Sequence, residues 1–125
     1  MNILPSRDRD YLLERKIAFE EVAGPPKAVI LRGYPLPAGR FDQAKADLLV
    51  VLPESYPLTH PDMFFAQPWL KLVNGNKYPK AADQPYPFMG TTWQQWSRHN
   101  NQWRPGLDGI WTMLRRIDTA LEVAA

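Results

Sequence analysis

The distribution of proline constrains the fold of this chain more than any other feature. Thirteen of its 125 residues are proline, and all but Pro5 lie between residues 25 and 105. Proline cannot donate a hydrogen bond to an interior strand ladder, so this density predicts short strands joined by stiff turns. Because 45% of the residues are hydrophobic, the chain has enough apolar side chains for a core. We expect a single domain over residues 1–125.

The order of the predicted elements indicates an α+β fold. A first helix is predicted over "PSRDRDYLLERK", with Ser6 as its N-cap. Three strands are predicted next, at "IAFEEVAG", "KAVILRGYPL" and "KADLLVVLP", and "DMFFA" predicts a fourth. Strands that follow one another without intervening helices favour an antiparallel meander, here of about four strands. Residues 66–90 are predicted to be a long irregular loop.

The C-terminal helix has the clearest pattern in the chain. Asp108 follows Pro105-Gly106 and is the predicted N-cap. The apolar residues beyond it recur at helical spacing: Ile110, Leu114, Ile117 and Leu121, with Leu107 and Trp111 widening the stripe. We therefore expect one face of this helix to be buried against the strands.

Composition and residue spacing exclude several functional classes. The chain has no cysteine, so it has no disulfide, thiolate metal site or cysteine nucleophile. Its net charge of +2, without a run of five like charges, argues against nucleic-acid binding. The two histidines, His60 and His99, lie far apart, and we expect neither a metal nor a cofactor. Since no apolar stretch approaches about 20 residues, we expect a soluble cytoplasmic protein that does not bind membranes.

Four segments, in order, resemble one protein family. "LLVVLPESYPLTHPDMFF" is similar to the third strand, the Tyr-Pro turn and the fourth strand of ubiquitin-conjugating (E2) enzymes, with Tyr56-Pro57 in the turn. "WRPGLDGIWTMLRRIDTAL" resembles the tryptophan–proline stretch and the helix that follow the active-site loop of these enzymes. Together with "LPSRDRDYL" and "WQQWSRHN", these segments resemble the prokaryotic family E branch. The resemblance implies the UBC/RWD-like form of the α+β fold.

The comparison with active conjugating enzymes also reveals a departure. Their nucleophilic cysteine precedes the tryptophan that matches Trp103 by eight residues, which is the position of Gln95 in this chain. A glutamine amide is not nucleophilic and cannot carry a thioester. The histidine–proline–asparagine triplet that supports the oxyanion in active members is also missing, and "NKYPKAADQPYP" stands in its place. The resemblance therefore implies a protein without transfer chemistry of its own.

Because transfer chemistry is excluded, the resemblance implies that this protein acts by binding other proteins. Members of this branch accompany bacterial ubiquitin-like or multiubiquitin proteins, activating enzymes and JAB-type isopeptidases, which are the expected partners. Tryptophan and arginine dominate protein interfaces, and Arg98 or Arg104 could pair with a partner's carboxylate. The candidate partner-binding residues are Trp93, Gln95, Trp96, Arg98, His99, Arg104, Lys77 and Tyr78. For the tryptophans, Trp103 included, the alternative is burial in the core.

An enzymatic alternative uses His99 as an acid or base. In this hypothesis His99 works near Ser97, Asp83 or Asp108 and assists transfer from a partner's thioester to an amine. Ser97 and His99 lie two residues apart, but the sequence indicates no oxyanion hole for a hydrolase. A structural role is the other interpretation, in which Arg98 and His99 bind neighbouring carboxylates or carbonyls.

Overall fold

A computed structural model describes residues 3–99 and 102–125, and it confirms the α+β class. In these residues all strands join one antiparallel sheet, with the order β1-β2-β3-β4-β6-β5. The elements are α1 (Ser6–Glu14), β1 (Ala18–Val22), β2 (Ala28–Pro35), β3 (Lys45–Val51), β4 (Phe64–Gln67), β5 (Gln84–Phe88), β6 (Thr91–Trp96) and α2 (Ile110–Val123).

The sheet has two strands more than the predicted meander of about four. β5 lies within the predicted loop and β6 directly follows it, and the two form a hairpin around Met89-Gly90, both with positive φ. Alternate prolines normally argue against a strand, and this explains why the sequence did not indicate β5. Pro85 and Pro87 are tolerated because β5 is an edge strand, so an N–H group that faces away from the sheet is not needed there.

The larger core joins both helices to one face of the sheet. The central strands β2 and β3 contribute alternate residues, which are Val29, Leu31, Leu48 and Val50. Helix α2 contributes the predicted apolar stripe of Ile110, Leu114, Ile117 and Leu121. Leu107 does not belong to this stripe, because α2 begins at Ile110 and the Leu107 side chain is 61% exposed. The helical periodicity of the sequence therefore identified the buried face of α2, but not where the helix starts.

The opposite face of the sheet carries a second, smaller cluster. Its buried members are Ala28, Ile30, Leu49, Phe65, Phe88 and Trp93, and no described helical residue belongs to it. Tyr86 stacks on Phe65 with ring centroids 4.1 Å apart. Aromatic side chains from the β5–β6 hairpin thus bury apolar surface on a face that no described helix covers.

Both predicted N-caps differ from the structure. Pro5 occupies the N-cap position of α1, where Ser6 was predicted, and Gly109 occupies that of α2, where Asp108 was predicted. The carboxylate of Asp8, from α1, accepts the backbone N–H of Ile110. The first backbone N–H group of α2 therefore has its acceptor on a residue about a hundred positions away, and the local sequence cannot reveal such a contact. Neither of the two described helices has the length and hydrophobicity that crossing a membrane requires.

Candidate binding groove over helix α2

The alternation of side chains along β6 decides which of the predicted site residues reach the surface. Trp96 is 0% exposed in the larger core, and Trp93 is 3% exposed in the smaller cluster on the other face. A fully buried side chain cannot contact a partner. Burial, the alternative for these tryptophans, is therefore what the structure shows.

Gln95, which the resemblance places at the position of the catalytic cysteine, lies within the sheet. It is half-buried, and in the ladder it sits between Phe65 of β4 and Gln84 of β5. Its amide Nε2 donates to Ser97 Oγ over 3.3 Å. The residue at this position is thus a strand residue with a non-nucleophilic side chain.

After β6 the chain passes beside α2, and the two border a groove lined by arginine. Two adjoining clefts of about 470 and 600 Å³ share the α2 residues Thr112, Arg115 and Arg116. One of them is also lined by two predicted site residues, Arg98 and His99, and the other by a third, Arg104. We call this surface the arginine groove and define it by Arg98, His99, Arg104, Arg115 and Arg116.

Two arginines of the groove each lie over a tryptophan ring. The Arg98 guanidinium is 5.0 Å from the ring centroid of Trp96, and that of Arg116 is 5.6 Å from the centroid of Trp103. Among the described residues neither arginine forms an ion pair, and their hydrogen bonds go to backbone carbonyls. Burial lowers the pKa of both groups. Both are partly desolvated cations with no described carboxylate at ion-pair distance, although Asp108 interacts with Arg116 electrostatically, and this condition favours binding an anion.

Two other side chains of the groove, those of Arg104 and His99, contact carboxylates. Arg104 Nη2 lies 2.9 Å from Asp108 Oδ1, and this guanidinium lowers the pKa of Asp108 to about 2. His99 Nδ1 lies 2.7 Å from Asp62 Oδ1, with both side chains more than half exposed. Of the carboxylates named in the enzymatic alternative, Asp108 binds Arg104, whereas the contact of His99 is with Asp62.

Trp103 links the groove to the Tyr-Pro turn. Its side chain is half-buried, and its indole N–H donates to the carbonyl of Pro57 over 2.8 Å. Its ring also contacts Tyr56 and His60, with centroids 6.2 and 6.3 Å away. Trp103 contacts α2 through the Arg116 side chain, which lies over its ring. Both motifs that carry the family resemblance therefore meet at this tryptophan.

Lys77 and Tyr78, also predicted for the partner surface, lie outside the arginine groove. Tyr78 packs edge-on against Trp69, and its ring is 5.2 Å from Lys71 Nζ. Lys77 lines a different cleft, of about 400 Å³, together with Arg40. The structure thus brings together Arg98, His99 and Arg104, but not the two loop residues.

Two groove residues were missed by sequence reasoning. Arg115 and Arg116 lie on α2 between the apolar positions Leu114 and Ile117. The signal was present, because a helical wheel places them off the apolar stripe. Only the path of the chain after β6, however, makes that side of the helix one wall of a groove.

Gln94, a fully buried glutamine, was missed as well. Its Oε1 accepts the N–H of Leu70 and the indole N–H of Trp96, over 2.7 and 3.1 Å. Its Nε2 donates to the carbonyls of Leu70 and Ala82, over 2.9 and 2.7 Å. Gln94 thereby fixes both ends of the segment between β4 and β5 to β6. Local sequence does not distinguish Gln94 from its neighbour Gln95, because the two adjacent residues are of the same type.

Comparison with known proteins places this architecture in a family. No significant match was found among curated proteins or among solved structures. The model of a family described as Prokaryotic E2 family E matches residues 4–124, which is nearly the whole chain. The match includes α1, the full sheet, the Tyr-Pro turn and α2. This chain therefore belongs to Prokaryotic E2 family E.

Proposed function

We propose that this protein acts in a bacterial ubiquitin-like modification system by binding, and that it carries no cargo itself. Two facts support the proposal: the chain is an E2-like family member, and it has no cysteine. Thioester transfer requires a thiolate, and the matching position holds Gln95 within β6. The proposed partners are the ubiquitin-like protein, single or as a multiubiquitin chain, and its activating enzyme. A JAB-type isopeptidase of the same system is a further candidate.

The observation that supports this binding surface is a pair of arginines that form no ion pair with any described residue. Arg98 and Arg116 present guanidinium groups that suit the bidentate recognition of a carboxylate. Small side chains of α2, those of Thr119 and Ala120, line the same groove. They leave room for a polypeptide segment to lie against the helix. The proposed ligand is therefore an acidic segment or a C-terminal carboxylate of the protein partner.

Calorimetric titration of this protein with a bacterial ubiquitin-like protein, and with the activating enzyme of the same system, tests the proposal. We expect a complex with at least one of them. The single substitutions Arg98→Gln and Arg116→Gln should each weaken binding about tenfold or more, because each removes charge-assisted hydrogen bonds. Lys45→Gln, an exposed cation on β3, is the matched control and should leave the affinity unchanged.

Two outcomes would contradict different parts of this proposal. Failure of both partners to bind would reject the binding function. Binding that is unchanged by the double substitution of Arg98 and Arg116 would instead reject the arginine groove as the surface. Raising the salt concentration should also weaken the complex, because the proposed contacts are ionic and partly exposed.

The 2.7 Å contact between His99 and Asp62 supports a second candidate function, His99-assisted chemistry. A carboxylate can orient an imidazole for proton transfer. The substitution His99→Ala separates the two functions when it is assayed with the partners present. A binding protein keeps normal rates of transfer by the partner enzymes, whereas an enzyme that uses His99 loses turnover while it retains affinity.

A further inference from the structure

We propose that the open face of the sheet, opposite the helices, carries a binding site for a small neutral carboxamide or lactam. The site is a cleft of about 350 Å³. Its lining comes from β1, β2, the end of β4 and the β5–β6 hairpin: Glu20, Val22, Ile30, Arg32, Gln67, Phe88, Met89, Thr91 and Trp93. This site is independent of the arginine groove, which lies along α2.

A hydrogen-bond donor and an acceptor without partners belong to two of these lining residues. Trp93 Nε1 and Gln67 Oε1 are both buried and have no hydrogen-bond partner among the residues that the structure describes. Ala66 pairs with Gln94 in the ladder between β4 and β6, so Gln67 and Trp93 are cross-strand neighbours one step further along. Buried polar groups are normally paired. A ligand that supplies one carbonyl and one N–H would satisfy both.

The charged residues at the cleft already neutralise one another. Arg32 binds Glu20 at 2.9 Å and Asp47 at 2.8 Å, and Asp47 also accepts the backbone N–H of Gly33. A charged ligand would have to compete with these pairs. The cleft therefore favours an uncharged ligand, which distinguishes it from the arginine groove.

The remaining lining sets the size and polarity of the ligand. Val22, Ile30 and Phe88 offer apolar surface for a hydrocarbon or ring body. The volume is near the lower end of the range of about 300 to 1,000 Å³ that is typical of ligand pockets. The two unpaired atoms are buried, so binding requires a lining side chain to shift. Met89, unbranched and 75% exposed, is free to do so.

Nuclear magnetic resonance of the ¹⁵N-labelled protein tests the site with three probes of similar shape. Benzamide has the carbonyl and the N–H, acetophenone has the carbonyl alone, and benzoate is charged. The spectrum of Trp93→Phe assigns the Trp93 indole N–H signal. We expect benzamide to shift this signal and to bind about three- to tenfold tighter than acetophenone, the difference made by one hydrogen bond. Benzoate should not shift the signal.

A matched pair of variants locates the second hydrogen bond. Gln67→Leu should reduce the affinity for benzamide to that for acetophenone. Gln95→Leu removes an amide from the same face but outside the cleft, and it should preserve the preference. Equal shifts with all three probes would overturn the proposal. The proposal would also be overturned if benzamide did not shift the Trp93 signal. That outcome includes the case in which a long-lived water accepts the hydrogen bond of the Trp93 N–H.

Discussion

Two adjacent glutamines have opposite roles in this protein. The resemblance to conjugating enzymes places Gln95 at the position of their catalytic cysteine, and its side chain makes one hydrogen bond, to Ser97. Gln94 is fully buried, and its amide makes four hydrogen bonds. The residue that marks the lost chemistry is therefore not the residue that holds this region together.

Replacement of Gln94 by leucine should strongly destabilise the protein. Leucine is close in size but leaves two carbonyls, one backbone N–H and the Trp96 indole N–H buried without partners. We expect the free energy of unfolding to fall by about 2 to 4 kcal/mol. Urea denaturation measures the change, with Gln95→Leu as the control, for which we expect about 0.5 kcal/mol or less. Equal effects of the two substitutions would contradict this role for Gln94.

At the scale of elements, the start of α2 depends on two aspartates with opposite pKa shifts. Burial of Asp8 raises its pKa above 3.8, although it accepts hydrogen bonds from Tyr56 Oη and from the N–H of Ile110. The guanidinium and backbone N–H of Arg104 lower the pKa of Asp108 to about 2. Folding thus favours the protonated form of the Asp8 carboxyl group and the charged form of the Asp108 carboxylate.

These shifts predict opposite effects of pH on two matched variants. The folded state holds the Asp8 proton more tightly than the unfolded chain, so the wild type should lose stability relative to Asp8→Asn as the pH rises above about 4. For Asp108 the dependence of stability on pH has the opposite sign. The stability that its carboxylate provides is complete above its unfolded pKa of 3.8 and should be lost, relative to Asp108→Asn, as the pH falls towards 2. Urea denaturation between pH 2 and 7 measures both differences, and slopes of the same sign would contradict the assignment.

At the scale of the whole molecule, proline protects one edge of the sheet. Phe88 and Thr91 flank the two-residue turn, so the N–H groups of Tyr86 and Gln84 face β6, and positions 85 and 87 face outward. Proline at both outward positions offers no donor to another strand. An exposed edge strand is a template for association with other chains, and prolines remove that hazard.

The double substitution Pro85→Thr and Pro87→Thr should promote self-association. It restores two outward N–H groups on β5 in a residue type that favours strands. Sedimentation velocity over a concentration series measures the effect, and we expect the mean sedimentation coefficient to rise with concentration more steeply than for the wild type. Pro105→Thr, an exposed proline outside the sheet, is the control and should behave as the wild type does. Identical behaviour of all three proteins would show that the prolines do not protect this edge.

The sequence by itself determined the properties that depend on local pattern or on residue inventory. The spacing of Ile110, Leu114 and Ile117 identified the buried face of α2, because helical periodicity is local. The absence of cysteine excluded thioester chemistry, since no arrangement in space can supply a missing thiol. The resemblance in the Tyr-Pro turn and around Trp103 identified the family that the comparison then showed.

The tertiary structure alone decided which side chains meet. It buried Trp93 and Trp96 on opposite faces of the sheet, because strand side chains alternate and both faces of β6 are covered by apolar groups. It added β5 as an edge strand despite its prolines, and it brought Arg116 of α2 beside Arg98. These placements depend on contacts between residues far apart in the sequence, and no local pattern encodes such contacts.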